Sequence, residues 1–398
     1  MISILVVDDT ILYRKLVSDI VASVPGVRVI GTASNGKIAL SRIAMLKPDL
    51  VTLDVEMPEM NGIEVLGAAR GAGMTSAFLM VSALTTRGAD LSLRAIELGA
   101  LDAVAKPDGE PGGREKFELE LKSRVEAFVR RGEIRKILGE RSRPAEASQP
   151  GPQSGTGRIP PSGSSQPSSY LPHQSVAAGA GAAPSSAAAP ARSSASAPPP
   201  GGRRPAGPCE IVAIGISTGG PAALLELIPA LPGDVAVPIL IVQHMPPLFT
   251  ASLAHSLEIR GKLRCKEGEN GEVLRGGTVY IAPGGRHMRI DLGADAMTKV
   301  LRVTDDAPEN QCRPSVDYLF RSVARHYYGR ALALVMTGMG EDGARAAGDI
   351  KRAGGEVIVQ DEESSVVWGM PGATVARGFA DEILPLGGLA EAIVARLR

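Results

Sequence analysis

The sequence predicts two α/β domains of three-layer build, each with a parallel sheet covered by helices on both faces, joined by a long unstructured tether. Three observations predict this. Short apolar runs alternate with helical spacing on both sides of the chain's middle, the pattern of parallel sheets buried on both faces. Between residues 141 and 208 the composition collapses to Pro, Ala, Gly and Ser. The polar residues of chemical interest fall just after apolar runs, at the strand carboxyl ends where such sheets bind ligands.

Residues 1–140 form the first predicted domain. Ile4–Val7 is a short apolar run ending in Asp8-Asp9, and Leu12–Val24 has helical spacing. Val27–Thr32 reads as a strand, Gly36–Leu46 as a helix, and Leu50–Leu53 as a strand ending at Asp54. Ala77–Val81 ends at Ser82, Leu91–Leu98 is helical, Ala103–Ala105 is a short strand and Glu115–Val129 a helix. Residues 141–208 hold few large apolar side chains (Ile159, Tyr170, Leu171, Val176). Such a segment cannot bury enough surface to offset its ordering entropy, and a coil of that length spans roughly 45 Å.

Residues 209–398 repeat the architecture. Ile211–Gly215 is a strand feeding a helix near Ala222–Ile228, and Pro238–Val242 is a strand ending at Gln243-His244. Gly277–Ala282 and Glu356–Gln360 read as strands, Ala344–Ala353 and Gly388–Arg396 as helices. Ala331–Met336 is a buried strand ending at Thr337-Gly338.

Composition narrows the function. The 398 residues carry 43 basic and 43 acidic side chains, a formal net charge of zero. That balance, with no helix-turn-helix or basic recognition helix, argues against a nucleic-acid binder. The start lacks a basic leader with an apolar stretch, and no run is long enough to span a membrane. Cys209, Cys265 and Cys312 form neither a disulfide framework nor a zinc spacing. The expectation is a reduced, cytoplasmic protein with no direct membrane insertion.

Asp8, Asp9 and Asp54 follow strands that share one sheet edge, so three carboxylates converge. Converging carboxylates repel unless a hard cation joins them, and Mg²⁺ suits oxygen ligands while keeping waters for a phosphate. Lys106 and Ser82 lie at the same edge, and an Asp carboxylate can accept a phosphoryl group covalently. Singly, each is an ordinary loop or cap residue; together they define a site. The segment resembles the receiver domain of two-component response regulators, a flavodoxin-like fold, in Val6-Val7-Asp8-Asp9, Leu53-Asp54-Val55-Glu56-Met57-Pro58, Ser82-Ala83 and Lys106-Pro107. The resemblance implies Asp54 as phosphoacceptor, Asp8 and Asp9 with the Glu56 backbone carbonyl as further Mg²⁺ ligands, and Ser82 and Lys106 as sensors of the phosphoryl group. It departs at Ala103, where family members often carry an aromatic that rotates on switching.

In the second domain Ala213–Pro221 reads Ala-Ile-Gly-Ile-Ser-Thr-Gly-Gly-Pro. Ser217 sits in a sharp strand-to-helix turn, where a helix N-terminus favours developing negative charge. Serine needs a base, and His244 after the next strand is suitable; Asp342 is a suitable orienter for it. His287, in Gly284-Gly285-Arg286-His287, is a rival base, while His255 and His326 lack strand-end placement. Gly215, Gly219 and Gly220 loosely imitate a dinucleotide-binding turn. However, position 217 is Ser where the second glycine belongs, and the next strand ends in His244 instead of an acid.

This segment resembles the catalytic domain of chemotaxis protein-glutamate methylesterases, the CheB family. The shared pieces are Gly215–Gly220, Gln243-His244-Met245, Ala282-Pro283-Gly284, Arg313-Pro314-Ser315-Val316-Asp317, Met336–Gly343 and Gly369-Met370-Pro371. The resemblance implies Ser217 as nucleophile, His244 as base and Asp342 as orienter, with Thr218 and the backbone of Met339 and Gly340 as active-site supports or oxyanion donors. It implies hydrolysis of glutamyl methyl esters on methyl-accepting chemotaxis receptors with no cofactor for that step, deamidation of receptor glutamines, a chemotaxis histidine kinase as phosphodonor, and recruitment to receptor arrays. Family tethers are expected to be shorter than this one. A non-enzymatic receiver-linked adaptor is the alternative, and Ser217 counts against it.

Overall fold

Residues 1–107, 109, 112–141 and 208–397 are described by a computed structural model of the chain. The tether expected at 141–208 lies outside them except for its two end residues. Met1–Glu140 and Arg203–Arg398 belong to one compact unit.

The first domain runs β1 (Ile2–Val7), α1 (Ile11–Ala22), β2 (Val27–Ala33), α2 (Gly36–Leu46), β3 (Leu50–Asp54), α3 (Gly62–Gly71), β4 (Ala77–Ser82), α4 (Thr86–Glu97), β5 (Asp102–Ala105) and α5 (Gly113–Arg141). The sheet order is β2-β1-β3-β4-β5, parallel throughout. Register decides what meets at the edge. Val7 pairs with Leu53, Asp54 with Val81, and Ser82 with Ala105, so Asp8, Asp54, Ser82 and Lys106 emerge side by side. Side-chain caps start the helices: Thr10, Asn35, Asn61 and Thr85 each accept a hydrogen bond from a first-turn N–H, and Asn61 with Glu64 closes a reciprocal capping box. Thr85 sets the start of α4 at Thr86, ahead of the apolar spacing that begins at Leu91.

The second domain runs β6 (Ile211–Ile216), α6 (Gly220–Ala230), β7 (Ile239–Gln243), α7 (Phe249–Arg260), β8 (Arg264–Glu267), β9 (Thr278–Ile281), β10 (His287–Leu292), β11 (Lys299–Thr304), α8 (Val316–Tyr327), β12 (Ala331–Val335), α9 (Ala344–Arg352), β13 (Glu356–Gln360), α10 (Met370–Ala376), β14 (Glu382–Leu384) and α11 (Leu386–Leu397). Its sheet order is β14-β13-β12-β6-β7-β9-β8, parallel, with β10–β11 a separate antiparallel hairpin. β6 leads to β7 on one side and borders β12 on the other. The strand order reverses there, which opens a crevice at the carboxyl ends. Ser217 and Thr337 leave the sheet at that point.

β6, β7, β12 and β13 are buried at every position. Helix α8 lies close on β6 because residue 215 has no side chain: a Cβ there would stand 2.3 Å from Val316 Cγ1. Overpacking of a filled core costs about 1–3 kcal/mol. Gly215→Ala should therefore lower the unfolding free energy of the full chain in urea by that amount, and an unchanged midpoint would mean that α8 can slide freely off the strand.

Candidate active site and phosphoryl site

The second site begins with the turn after β6. Ser217 is 9% exposed and Thr218 3%. Ser217 N–H donates to the Thr337 carbonyl at 2.9 Å, and the Thr337 hydroxyl donates to the Thr218 carbonyl at 2.9 Å, so the ends of β6 and β12 are laced together. Gly219, at φ +76°, is the residue that lets the chain enter α6; a side chain there would also meet Val366. Gly338 lies against Ser217, its hypothetical Cβ 2.8 Å from Ser217 Cβ, which brings Met339 and Gly340 beside the turn.

From the other side, Gln243 Nε2 donates to the Ser217 carbonyl at 2.9 Å and His244 N–H to the Ile216 carbonyl at 3.2 Å. His244 Nε2 then meets Asp342 Oδ2 at 2.8 Å. Asp342 also accepts from Val316 N–H (2.6 Å), Asn310 Nδ2 (2.7 Å), the Ser315 hydroxyl (2.8 Å), and Asp317 N–H and Gly343 N–H (3.1 Å each). Three of these donors lie at the first turn of α8 or its cap, where the helix dipole also favours an anion. Burial alone raises a carboxyl pKa, but His244 and these donors outweigh it and bring Asp342 down to about 2. Burial likewise works against a charged His244; Cys312 and Asp342 on either side of the ring outweigh it and raise its proton affinity. His244 Nδ1 lies 3.8 Å from Cys312 Sγ. Among the described residues Ser217 Oγ makes no hydrogen bond to His244.

The structure therefore joins His244 to Asp342 and places Ser217 on the adjoining strand end. His287 is engaged elsewhere: Ser315 N–H donates to its Nδ1 at 3.2 Å, Nε2 meets the Ala307 carbonyl at 3.1 Å, and the ring stacks on Tyr318 at 4.4 Å. Both its nitrogens are used in holding the 307–318 segment. Sequence reasoning missed Asn310, Ser315 and the Val316 N–H as partners of Asp342. A serine just before an amphipathic helix is a cap signal, but it does not say what else the hydroxyl binds.

At the first site Lys106 Nζ stands 2.8 Å from Asp8 Oδ2 and 2.7 Å from Asp54 Oδ2, with all three side chains largely buried. Asp8 Oδ1 accepts from Thr10 N–H and its hydroxyl. Burial pushes Asp54 up to about 6, partly offset by Lys106 and assisted by Asp8. Carboxylate oxygens of Asp8, Asp9 and Asp54 lie within 4.8 Å of one another, an all-oxygen donor set that fits a hard divalent cation. Ser82 Oγ, at the same edge, contacts the Ala83 carbonyl at 3.4 Å. Ala103 is buried on β5 with no ring to move.

The two domains also touch. Asp102 of β5 pairs with the buried Arg124 of α5 at 3.2 Å and accepts from Gly219 N–H, in the Ser217 turn, at 3.3 Å. Ser123 of α5 donates to Met339 Sδ at 2.7 Å. Further out, Asp90 accepts from Ser252 and Glu97 pairs with Arg260. A cleft of ≈ 890 Å³ opens between Ala127 and Arg130 of α5 and the Met339–Glu341 and Ser365–Gly369 loops.

Family models match two segments: the CheB methylesterase over residues 212–393 and the response regulator receiver domain over residues 4–115. A protein-glutamate methylesterase/protein-glutamine glutaminase of Desulfotalea psychrophila is 42% identical over 391 residues, 98% of this chain and 97% of the relative. One of the same description from Maricaulis maris is 41% identical over 396 residues, 99% of this chain and 95% of the relative. The crystal structure of the Thermotoga maritima CheB methylesterase catalytic domain is 40% identical, with TM-score 0.46, covering 47% of this chain and 98% of that one.

Lys106 is the cation between two buried carboxylates, and removing one partner of a buried pair costs about 3–5 kcal/mol. Lys106→Met should lower stability by that amount in metal-free buffer, with part of the loss recovered in millimolar Mg²⁺. Denaturant melts with and without Mg²⁺ check this, and no loss in metal-free buffer would contradict the pairing.

Proposed function

Since the chain belongs to the CheB methylesterase family and carries a receiver domain ahead of its catalytic domain, we propose that it hydrolyses glutamyl methyl esters on methyl-accepting chemotaxis receptors by a Ser217–His244–Asp342 relay under phosphorylation control. The observation that carries the chemistry is the His244–Asp342 bond at 2.8 Å, made at strand ends adjoining Ser217. With Asp342 an anion, the ring proton sits on Nε2, and the Nδ1 lone pair is left to take a proton from Ser217 Oγ.

In this mechanism Ser217 Oγ adds to the ester carbonyl carbon as His244 removes its proton. The oxyanion is met by backbone N–H groups of the 217–220 turn and the Met339–Gly340 loop. His244 protonates the departing methoxide, methanol leaves, and an acyl-serine remains. Water, deprotonated by His244, then releases the glutamate and restores Ser217. The same sequence on a glutamine side chain releases ammonia, which gives the protein-glutamine glutaminase reaction.

Receiver domains commonly use Mg²⁺ in phosphorylation, and here Asp8, Asp9, Asp54 and the Glu56 carbonyl would hold it, offsetting the charge of the incoming phosphoryl oxygens. Asp54 is the proposed acceptor from a histidine kinase, with Lys106 and Ser82 positioned for the phosphoryl group. The proposed brake is the receiver itself. Its Asp102 carboxylate accepts from Gly219 N–H in the nucleophile turn, and α5 lies on the Met339 loop.

Methanol release from methylated receptor helices tests both parts. Ser217→Ala should lower turnover on the order of 10⁴-fold or more with the fold intact; wild-type turnover in that variant rules out the relay. A small-molecule phosphodonor should raise the rate of the full chain and leave Asp54→Asn unchanged. Asp102→Ala, which removes the carboxylate from the Ser217 turn, should raise the rate without phosphodonor. A rate equal to that of the unphosphorylated wild type would show that Asp102 is no part of the brake.

A further inference from the structure

Cys312 lies outside the relay yet stands on the ring nitrogen that the relay uses. Its backbone is fixed by two hydrogen bonds with Glu309, at 3.1 and 2.9 Å. Glu309 is in turn clamped by Arg321 through two contacts of 2.6 Å. The thiol is thus delivered to His244 by a stiff turn. We propose that His244 Nδ1 and Cys312 Sγ form a binding site for a zinc-type divalent metal, and that its occupancy switches the esterase off.

Three features argue for a metal-binding pair in addition to a weak S–H···N contact. The first is spacing. Zinc bonds of about 2.0–2.1 Å to nitrogen and 2.3 Å to sulfur place tetrahedral donors about 3.6 Å apart, and the two atoms here are 3.8 Å apart. The second is the ring's far side. Asp342 holds Nε2 at 2.8 Å, which fixes the tautomer and turns the Nδ1 lone pair toward Cys312 Sγ. Metal-bound histidines are oriented by a carboxylate in the same way. The third is access and donor type. His244 and Cys312 are both partly exposed, and the ligand atoms they offer are a nitrogen and a sulfur. Thiolate with imidazole selects zinc-type ions, whereas the oxygen-only receiver site selects magnesium.

Binding balances simply: the metal bonds to sulfur and to Nδ1, the thiol proton passes to solvent, and water completes the coordination. The Nδ1 lone pair is then used up. Inhibition rests on the proposed relay, which needs that same lone pair for Ser217; metal binding does not rest on it.

The test uses the full chain in excess Mg²⁺ with Co²⁺ as the probe. Wild type should develop a thiolate-to-cobalt absorption band that Zn²⁺ abolishes. The band should be lost in Cys312→Ser and in His244→Gln, and retained in Ser217→Ala. No band in the wild type, or one that survives Cys312→Ser, overturns the site. In methanol-release assays Zn²⁺ should inhibit the wild type reversibly on addition of chelator, and Cys312→Ser should need about ten-fold more Zn²⁺ or beyond. Equal sensitivity of the two proteins overturns the inhibitory role. A wild type with the cobalt band but no turnover contradicts the esterase reading and supports the metal site.

Discussion

One buried carboxylate organises the second domain. Asp342 accepts hydrogen bonds from Asn310, Ser315, Val316, Asp317 and Gly343 as well as meeting His244. An ionised carboxylate out of water is costly unless its oxygens are fully paired. The demand is met only if the loop after β12, the 309–317 turn and the start of α8 come together. Gly215 then matters because it lets Val316 approach the sheet. His287 matters because it accepts from the Ser315 N–H. The orientation of His244 is a consequence of this arrangement.

Much of this was legible in the sequence. Apolar runs ending in Asp8, Asp54, Ser82, Ser217 and His244 marked the strand ends, since a parallel sheet puts those ends on one edge. What stayed hidden has physical reasons. The donors to Asp342 are largely backbone N–H groups, which carry no residue signature. Asn310 and Ser315 are ordinary turn and cap residues until the fold brings them to position 342. The β10–β11 hairpin is interspersed with charged residues such as Arg289, Asp291 and Arg302, which obscures a strand pattern. Contacts between domains, such as Asp102 to Gly219, depend on docking and leave no local trace.

Docking gives β5 two jobs. Lys106 follows its carboxyl end and meets Asp54; Asp102 begins it and meets the Ser217 turn. Residue 103 between them is alanine, so no ring is available to carry a change from one end to the other. The continuous path is the strand itself, with Arg124 of α5 holding Asp102 from the side. Lys106 thus follows a four-residue strand whose other end rests on the Ser217 turn.

The two domains treat a strand-end carboxylate in opposite ways. Asp54 is buried with a single cation nearby and a second acid beside it, so burial prevails and its pKa is pushed up to about 6. Asp342 is buried among neutral donors and the imidazole, so pairing prevails and its pKa falls to about 2. An under-compensated carboxylate is short of positive charge, which a hard cation can supply. A fully paired one is inert and serves to fix its neighbour. The strand ends thus hold an acid with a raised pKa in one domain and one with a lowered pKa in the other, and the His244 ring together with the N–H donors around Asp342 makes the difference.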